Sequence, residues 1–176
     1  MKQLLAVALV VSVPVYGWLA KDKPQPSEVE ANIKSSADIM SELQQKLYAD
    51  PNQADLWYQL GQGYLYEQDF AAAVTCFDYA IRLSESPGAN QLAGKAAAMY
   101  YVNKQRLTPE IDALLNQALT IEPDNTAALT LIASDHFISL RYQQAIDTWV
   151  QLLDSNHPDV DRRKVVALLN QAKALL

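Results

Sequence analysis

Apolar side chains recur along this chain at helical spacing, in blocks separated by short polar breaks carrying proline. The first block holds Ile39, Leu43 and Leu47, a stripe of period near four. It ends at Asp50-Pro51-Asn52, where proline cannot continue a helix and restricts the residue before it. A lone helix is expected over 37–50. The next block alternates large and small residues: Trp57, Leu60, Gly61 and Tyr64, then Phe70, Ala73, Phe77 and Ala80. Shifting the chain by 72 positions lays Trp57 on Leu129, Leu60 on Ile132 and Gly61 on Ala133. The same shift lays Phe70 on Tyr142, Ala73 on Ala145, Phe77 on Trp149 and Ala80 on Leu152. Large meets large and small meets small except at the last pair. Helix pairs are therefore expected over 54–86 and 126–156.

The segment between them repeats the pattern less regularly. Its second helix matches well through Ile111, Leu115 and Ala118 before Pro123, 38 positions after the counterparts in the first pair. Its first helix fits best at a shift of 35, with Leu92, Ala96 and Met99 packing and Lys95 as a misfit. One additional residue is then expected near Ser86-Pro87-Gly88, and three in the turn Lys104-Gln105-Arg106-Leu107. Thr108-Pro109 restarts the helix, threonine as N-cap and proline at its first position. This defines a middle pair over 89–123. Val165, Val166, Leu168, Leu169, Ala172 and Leu176 then form a final stripe over 161–176. That helix is expected to cover the open end of the stack, which would otherwise expose apolar surface.

Trp57-Tyr58-Gln59-Leu60-Gly61-Gln62-Gly63-Tyr64 followed by Ala73 and Phe77 fits the tetratricopeptide (TPR) signature W-x₂-L-G-x₂-Y…A-x₃-F. Small residues sit where two helices cross closely and bulky ones fill the gaps. Such a pair cannot bury its apolar face alone, so the pairs must stack. The expected fold is all-α: one leading helix, three TPR pairs and a closing helix, over 37–176.

Composition narrows the function. The net charge is −6; setting aside Lys2, Lys21, Asp22 and Lys23 leaves 11 basic and 19 acidic residues. A domain this acidic repels phosphate backbones, which argues against nucleic acid as a partner. Cys76 is the single cysteine, so no internal disulfide forms, and two distant histidines give no metal spacing. Cys76 is read as a buried small hydrophobe and His136 as a core or crossing residue. Asp135-His136 has no partnered nucleophile, and Arg162-Arg163-Lys164 reads as solvated surface. No catalytic residue, cofactor or metal is expected.

Met1-Lys2-Gln3 precedes an apolar run from Leu4 to Ala20, long enough at its lower limit to span a bilayer. Cleavage after Ala20 would put Trp18 where a signal peptide needs a small residue. Residues 1–20 are therefore read as an uncleaved membrane anchor, with a cleaved signal as the alternative. Residues 21–36, polar and carrying Pro24 and Pro26, read as a tether. The repeats would then lie in the periplasm.

In TPR stacks the first helices line the concave side, which implies a groove formed by equivalent positions of each pair. These are Tyr58, Gln62, Leu65 and Tyr66, then Ala97, Tyr100 and Tyr101, then Thr130, Ser134, Phe137 and Ile138. Tyr100, like Tyr64, also reads as core packing. The lining is aromatic and hydroxylated with almost no charge, which suits a peptide. TPR clamps that bind acidic chaperone tails carry cations and asparagines at these positions. Tyr58, Gln62, Ala97 and Ser134 stand there instead, so an acidic tail is not the expected ligand.

The stretch Thr126 to Phe137, with Leu131-Ile132-Ala133-Ser134-Asp135, and then Tyr142-Gln143-Gln144-Ala145-Ile146-Asp147-Thr148-Trp149, resembles a known family. It is similar to the TPR subunits of the bacterial haem lyase for cytochrome c maturation, nearer the NrfG-like branch than the CcmI (CycH) branch. The likeness runs from about Leu43 to Leu176 and includes the enlarged middle turn. It implies a non-enzymatic adaptor whose groove holds the C-terminal segment of an apocytochrome c, that of cytochrome c nitrite reductase being one candidate. The implied partners are a membrane haem lyase subunit and a CxxC thioredoxin-like subunit at the inner membrane. A general periplasmic TPR chaperone or scaffold for envelope protein assembly is the alternative reading.

Overall fold

The computed structural model describes residues 35–176. The expected anchor at 1–20, and all of the expected linker except residues 35 and 36, lie outside them. Among the described residues there are eight helices, no strand, and no helix long and apolar enough to cross a membrane. The helices are α1 (Ser36–Ala49), α2 (Ala54–Tyr66), α3 (Phe70–Leu83), α4 (Ala89–Val102), α5 (Pro109–Ile121), α6 (Thr126–Ile138), α7 (Tyr142–Asp154) and α8 (Arg162–Lys173). They form a TPR-like superhelix of a leading helix, three antiparallel pairs and a closing helix.

Local chemistry sets the helix starts. The carboxylate of Asp69 accepts from the Ala72 N–H at 3.1 Å, and that of Asp161 from the Lys164 N–H at 3.1 Å. The Asn125 amide oxygen accepts from the Ala128 N–H at 3.0 Å. Thr108 Oγ1 accepts from the Ile111 N–H at 3.4 Å, with Pro109 occupying the first helical position. Each cap satisfies a backbone donor that the helix itself leaves unpaired.

The three turns inside the pairs share one geometry. Gln68, Lys104 and Leu140 have φ of 62°, 55° and 60°. Asp69, Gln105 and Arg141 follow them, and their N–H groups donate back to the carbonyls of Tyr64, Tyr100 and His136 at 2.9, 2.9 and 2.8 Å. With the companion bonds from Gln68, Lys104 and Leu140 these are Schellman motifs, made here without glycine. In the first and third pairs the next helix starts at once, with Asp69 and Arg141 at the N-cap position, and of the two only Asp69 caps with its side chain. In the middle pair three more residues intervene before Thr108 caps α5.

Packing is between neighbours along the stack. Consecutive helices touch, and the first helices also touch their counterparts one pair on, α2 with α4 and α4 with α6. Phe77, Tyr100 and Trp149, one from each pair, are the largest fully buried side chains. Phe77 lies against both Gly61 and Gly94, where an added Cβ would stand 3.0 and 2.8 Å from the ring. Lys95, a misfit in the apolar pattern, reaches Asp78 at 2.6 Å with its stem partly covered.

Candidate functional site

The first helices present stripes of residues four apart: Tyr58, Gln62 and Tyr66 on α2, Ala97, Tyr101 and Gln105 on α4 and its turn, and Thr130, Ser134 and Ile138 on α6. Two cavities open along these stripes. One, of about 370 Å³, lies between α4, α6 and α8 and is bounded by Tyr101, Thr130, Ser134, Ile138, Lys164 and Leu168 among others. The second, of about 600 Å³, lies between the ends of α2 and α4, against Leu65, Tyr66, Gln68 and Phe70. Ala97, Tyr101 and Gln105 belong to both, so the cavities meet as one trough.

The aromatic members are held by their neighbours. Tyr101 stacks on Phe70 with ring centres 4.6 Å apart and a 17° interplanar angle. Phe70 opens α3, so this contact ties the trough wall to the back of the first pair. Tyr66 is 79% exposed and free to meet a ligand. Tyr58 is half-buried, its ring centre 5.8 Å from that of Phe77, and its hydroxyl accepts from Gln62 Nε2 at 3.0 Å. Burial pushes the Tyr58 hydroxyl above its ordinary pKa, opposed by that hydrogen bond. Ser134 Oγ donates to the Thr130 carbonyl at 2.7 Å, which leaves its lone pairs free to accept.

Three expected groove residues, Tyr58, Gln62 and Phe137, border neither cavity, and Tyr100 lines the first only from beneath. Tyr100 is 1% exposed and forms the trough's floor instead of its surface. The reason is helix length: α4 has 14 residues where α2 and α6 have 13. The extra residue moves Tyr100 into the place that Tyr64 and His136 hold ahead of their turns, facing inward. Phe137 packs between α6 and α7, its ring centre 5.6 Å from those of both Trp149 and Tyr142. Ile138, 52% exposed, takes the trough position on α6. Leu65 is partly buried against the Phe77 cluster and also borders the second cavity.

Beneath the trough runs a polar network that the sequence pattern did not reveal. Asp135 is 4% exposed, yet its carboxylate accepts from Tyr100 Oη at 3.2 Å and from Arg141 Nη2 at 2.5 Å. Arg141 Nε also donates to His136 Nδ1 at 3.0 Å. The buried charge is thus paired and hydrogen-bonded, as burial requires. It ties the middle pair to the third. Burial and the neighbouring carboxylate push the Tyr100 hydroxyl up to about 12, so it stays a donor. His136 is pushed below its usual value by burial and then by Arg141, with Asp135 opposing. The only sequence signal was a carboxylate inside an apolar stripe with an arginine six residues on.

At the α8 end the trough gains charge from Asp159, Asp161 and Lys164. Lys164 thus borders the cavity, where solvated surface was expected for the whole basic cluster. Arg162 turns away and donates to the Leu153 carbonyl at 2.7 Å, closing the C-terminus of α7. Cys76 is buried, and burial followed by the nearby Asp69 charge pushes its thiol up to about 11. Such a thiol is a packing group and a poor nucleophile at neutral pH.

Known proteins share this architecture. The family model described as "Cytochrome c-type biogenesis protein H TPR domain" matches residues 21–163. The formate-dependent nitrite reductase complex subunit NrfG of Escherichia coli O157:H7 is 33% identical over 133 residues, covering 76% of this chain and 67% of that protein. The cytochrome c-type biogenesis protein CycH of Pseudomonas aeruginosa is 30% identical over 154 residues, covering 85% of this chain but 38% of its own length. The chain therefore spans about two thirds of the first relative and well under half of the second. The crystal structure of MamA superposes with a TM-score of 0.57 at 13% identity, over 80% of this chain and 88% of that one, a likeness of fold alone. A three-pair TPR stack with this sequence likeness places the chain in the cytochrome c-type biogenesis protein H TPR-domain family.

Proposed function

We propose that this protein is a non-catalytic adaptor of a haem lyase complex, holding the C-terminal segment of an apocytochrome c in the trough while haem is attached elsewhere. The observation that carries the reading is the trough itself, with aromatic and hydroxylated residues in its lining, running from the end of α2 across α4 to α6 and α8. Tyr66 and Tyr101 supply large faces with one polar tip each, the amphipathic surface that grips unfolded chain at modest entropic cost. Leu175 and Leu176 border neither cavity.

A peptide in such a trough makes a small interface and binds in the micromolar range, on the order of −8 kcal/mol. In this reading residues 1–20 hold the domain at the periplasmic face of the inner membrane. The membrane haem lyase subunit and the CxxC thioredoxin-like subunit are its neighbours there. Tethering all partners to one surface raises their effective concentration and offsets modest affinity. The test uses the full chain in detergent and a peptide matching the C-terminal segment of a client apocytochrome c, followed by titration calorimetry. Tyr66→Ala and Tyr101→Ala should each weaken binding roughly tenfold, as loss of an exposed aromatic anchor does, with helicity unchanged. Wild-type affinity in both variants removes the trough assignment.

A further inference from the structure

We infer that Gln105 is a main-chain clamp, gripping a backbone amide of the bound peptide at the saddle where the two cavities join. The inference rests on the trough reading above and adds a residue to it. Any chain passing from one cavity to the other crosses Ala97, Tyr101 and Gln105, the three residues common to both. Ala97 offers only a methyl group, which lets a backbone approach closely. Tyr101, pinned on Phe70, offers an aromatic wall. Gln105 offers a primary amide, a donor and an acceptor on one group, complementary to a peptide unit.

Its place in the turn explains why that amide is available. Asp69, Gln105 and Arg141 are equivalent: each follows the left-handed residue of its turn and donates its N–H to the carbonyl of Tyr64, Tyr100 or His136. In the first pair the Asp69 side chain caps α3. In the third, the Arg141 side chain is committed to Asp135 and His136. In the middle pair the three additional residues give the capping task to Thr108. Gln105 is exposed, its side chain has no hydrogen-bond partner among the described residues, and it borders both cavities. It also keeps a φ of 58° directly after Lys104 at 55°. Two successive left-handed residues with side chains are uncommon, and such conformations concentrate where a residue must be aimed.

The experiment measures binding of the apocytochrome c C-terminal peptide to full-length wild type and Gln105→Ala, alongside copies of the peptide N-methylated at successive backbone amides. Gln105→Ala should weaken binding about three- to tenfold, the worth of one or two neutral hydrogen bonds, with an unchanged melting temperature. N-methylation at one position should weaken wild-type binding by a similar factor and leave Gln105→Ala unaffected. Wild-type affinity in Gln105→Ala overturns the clamp, as does a methylation scan that costs both proteins the same at every position. If Tyr66→Ala and Tyr101→Ala weaken binding while Gln105→Ala does not, the trough stands and the clamp alone falls.

Discussion

Phe77 fills a narrow gap between two helices, and its surroundings make a quantitative prediction. The edge of its ring is wedged in the notch formed by α2 and α4, with Gly61 on one wall and Gly94 on the other. A methyl group at Gly61 would stand 3.0–3.1 Å from three ring carbons, and one at Gly94 as near as 2.8 Å. Overpacking a filled core costs about 1–3 kcal/mol, while Gly→Ala inside a helix returns about 1 kcal/mol of propensity. Gly94→Ala should therefore destabilise by about 0–2 kcal/mol, with Gly61→Ala milder because its contacts are looser. One added methyl leaves the opposite wall for the ring to lean on; two close the notch. The double variant should lose about 1 kcal/mol or more beyond the sum of the singles, well outside the few tenths expected of independent sites. Phe77→Leu, which narrows the wedge, should cut that excess. Urea unfolding followed by far-ultraviolet circular dichroism measures all the variants. An additive double variant, or one stabilised by two helix-propensity gains, would show that the ring does not hold the first and middle pairs together.

Asp135→Ala leaves the Tyr100 hydroxyl buried without its acceptor and should cost about 1–3 kcal/mol in the same unfolding assay; an unchanged stability would remove the network's role between pairs. His136 has a depressed pKa in the folded state, so the unfolded chain binds more protons between that value and the ordinary one near 6.5. Stability should rise with pH through that window and level off on either side of it. His136→Gln should flatten that part of a melting-temperature profile between pH 5.5 and 7.5, and an identical slope in both proteins would refute the assignment.

The repeat pattern was legible because packing imposes residue size at fixed intervals. Gly61, Ala73 and Ala80, and Ala133 and Ala145 in the third pair, are all buried at helix crossings. The enlarged middle turn was legible too, since Thr108-Pro109 marks a helix start by its own local chemistry. Side-chain direction near the end of α4 was not. One added residue rotates a helix face by about 100°, enough to send Tyr100 inward and leave Tyr101 on the surface. Similarly, Phe137 and Ile138 are adjacent and both apolar, and only the position of Trp149 decides which of them packs. The buried pairing of Asp135 was not legible because its partners lie off its own helix, Tyr100 on α4 and Arg141 in the turn before α7.

The neighbour-only packing of the helices bears on how this molecule comes into being. Every helix finds its partners within one pair of itself, so few contacts need distant parts of the chain to meet, and loop closure is cheap throughout. A chain delivered N-terminus first can complete its opening pair and bury Phe77 as soon as α4 arrives, before the closing helix exists. Its assembly then proceeds as a queue, each newcomer docking on a finished predecessor.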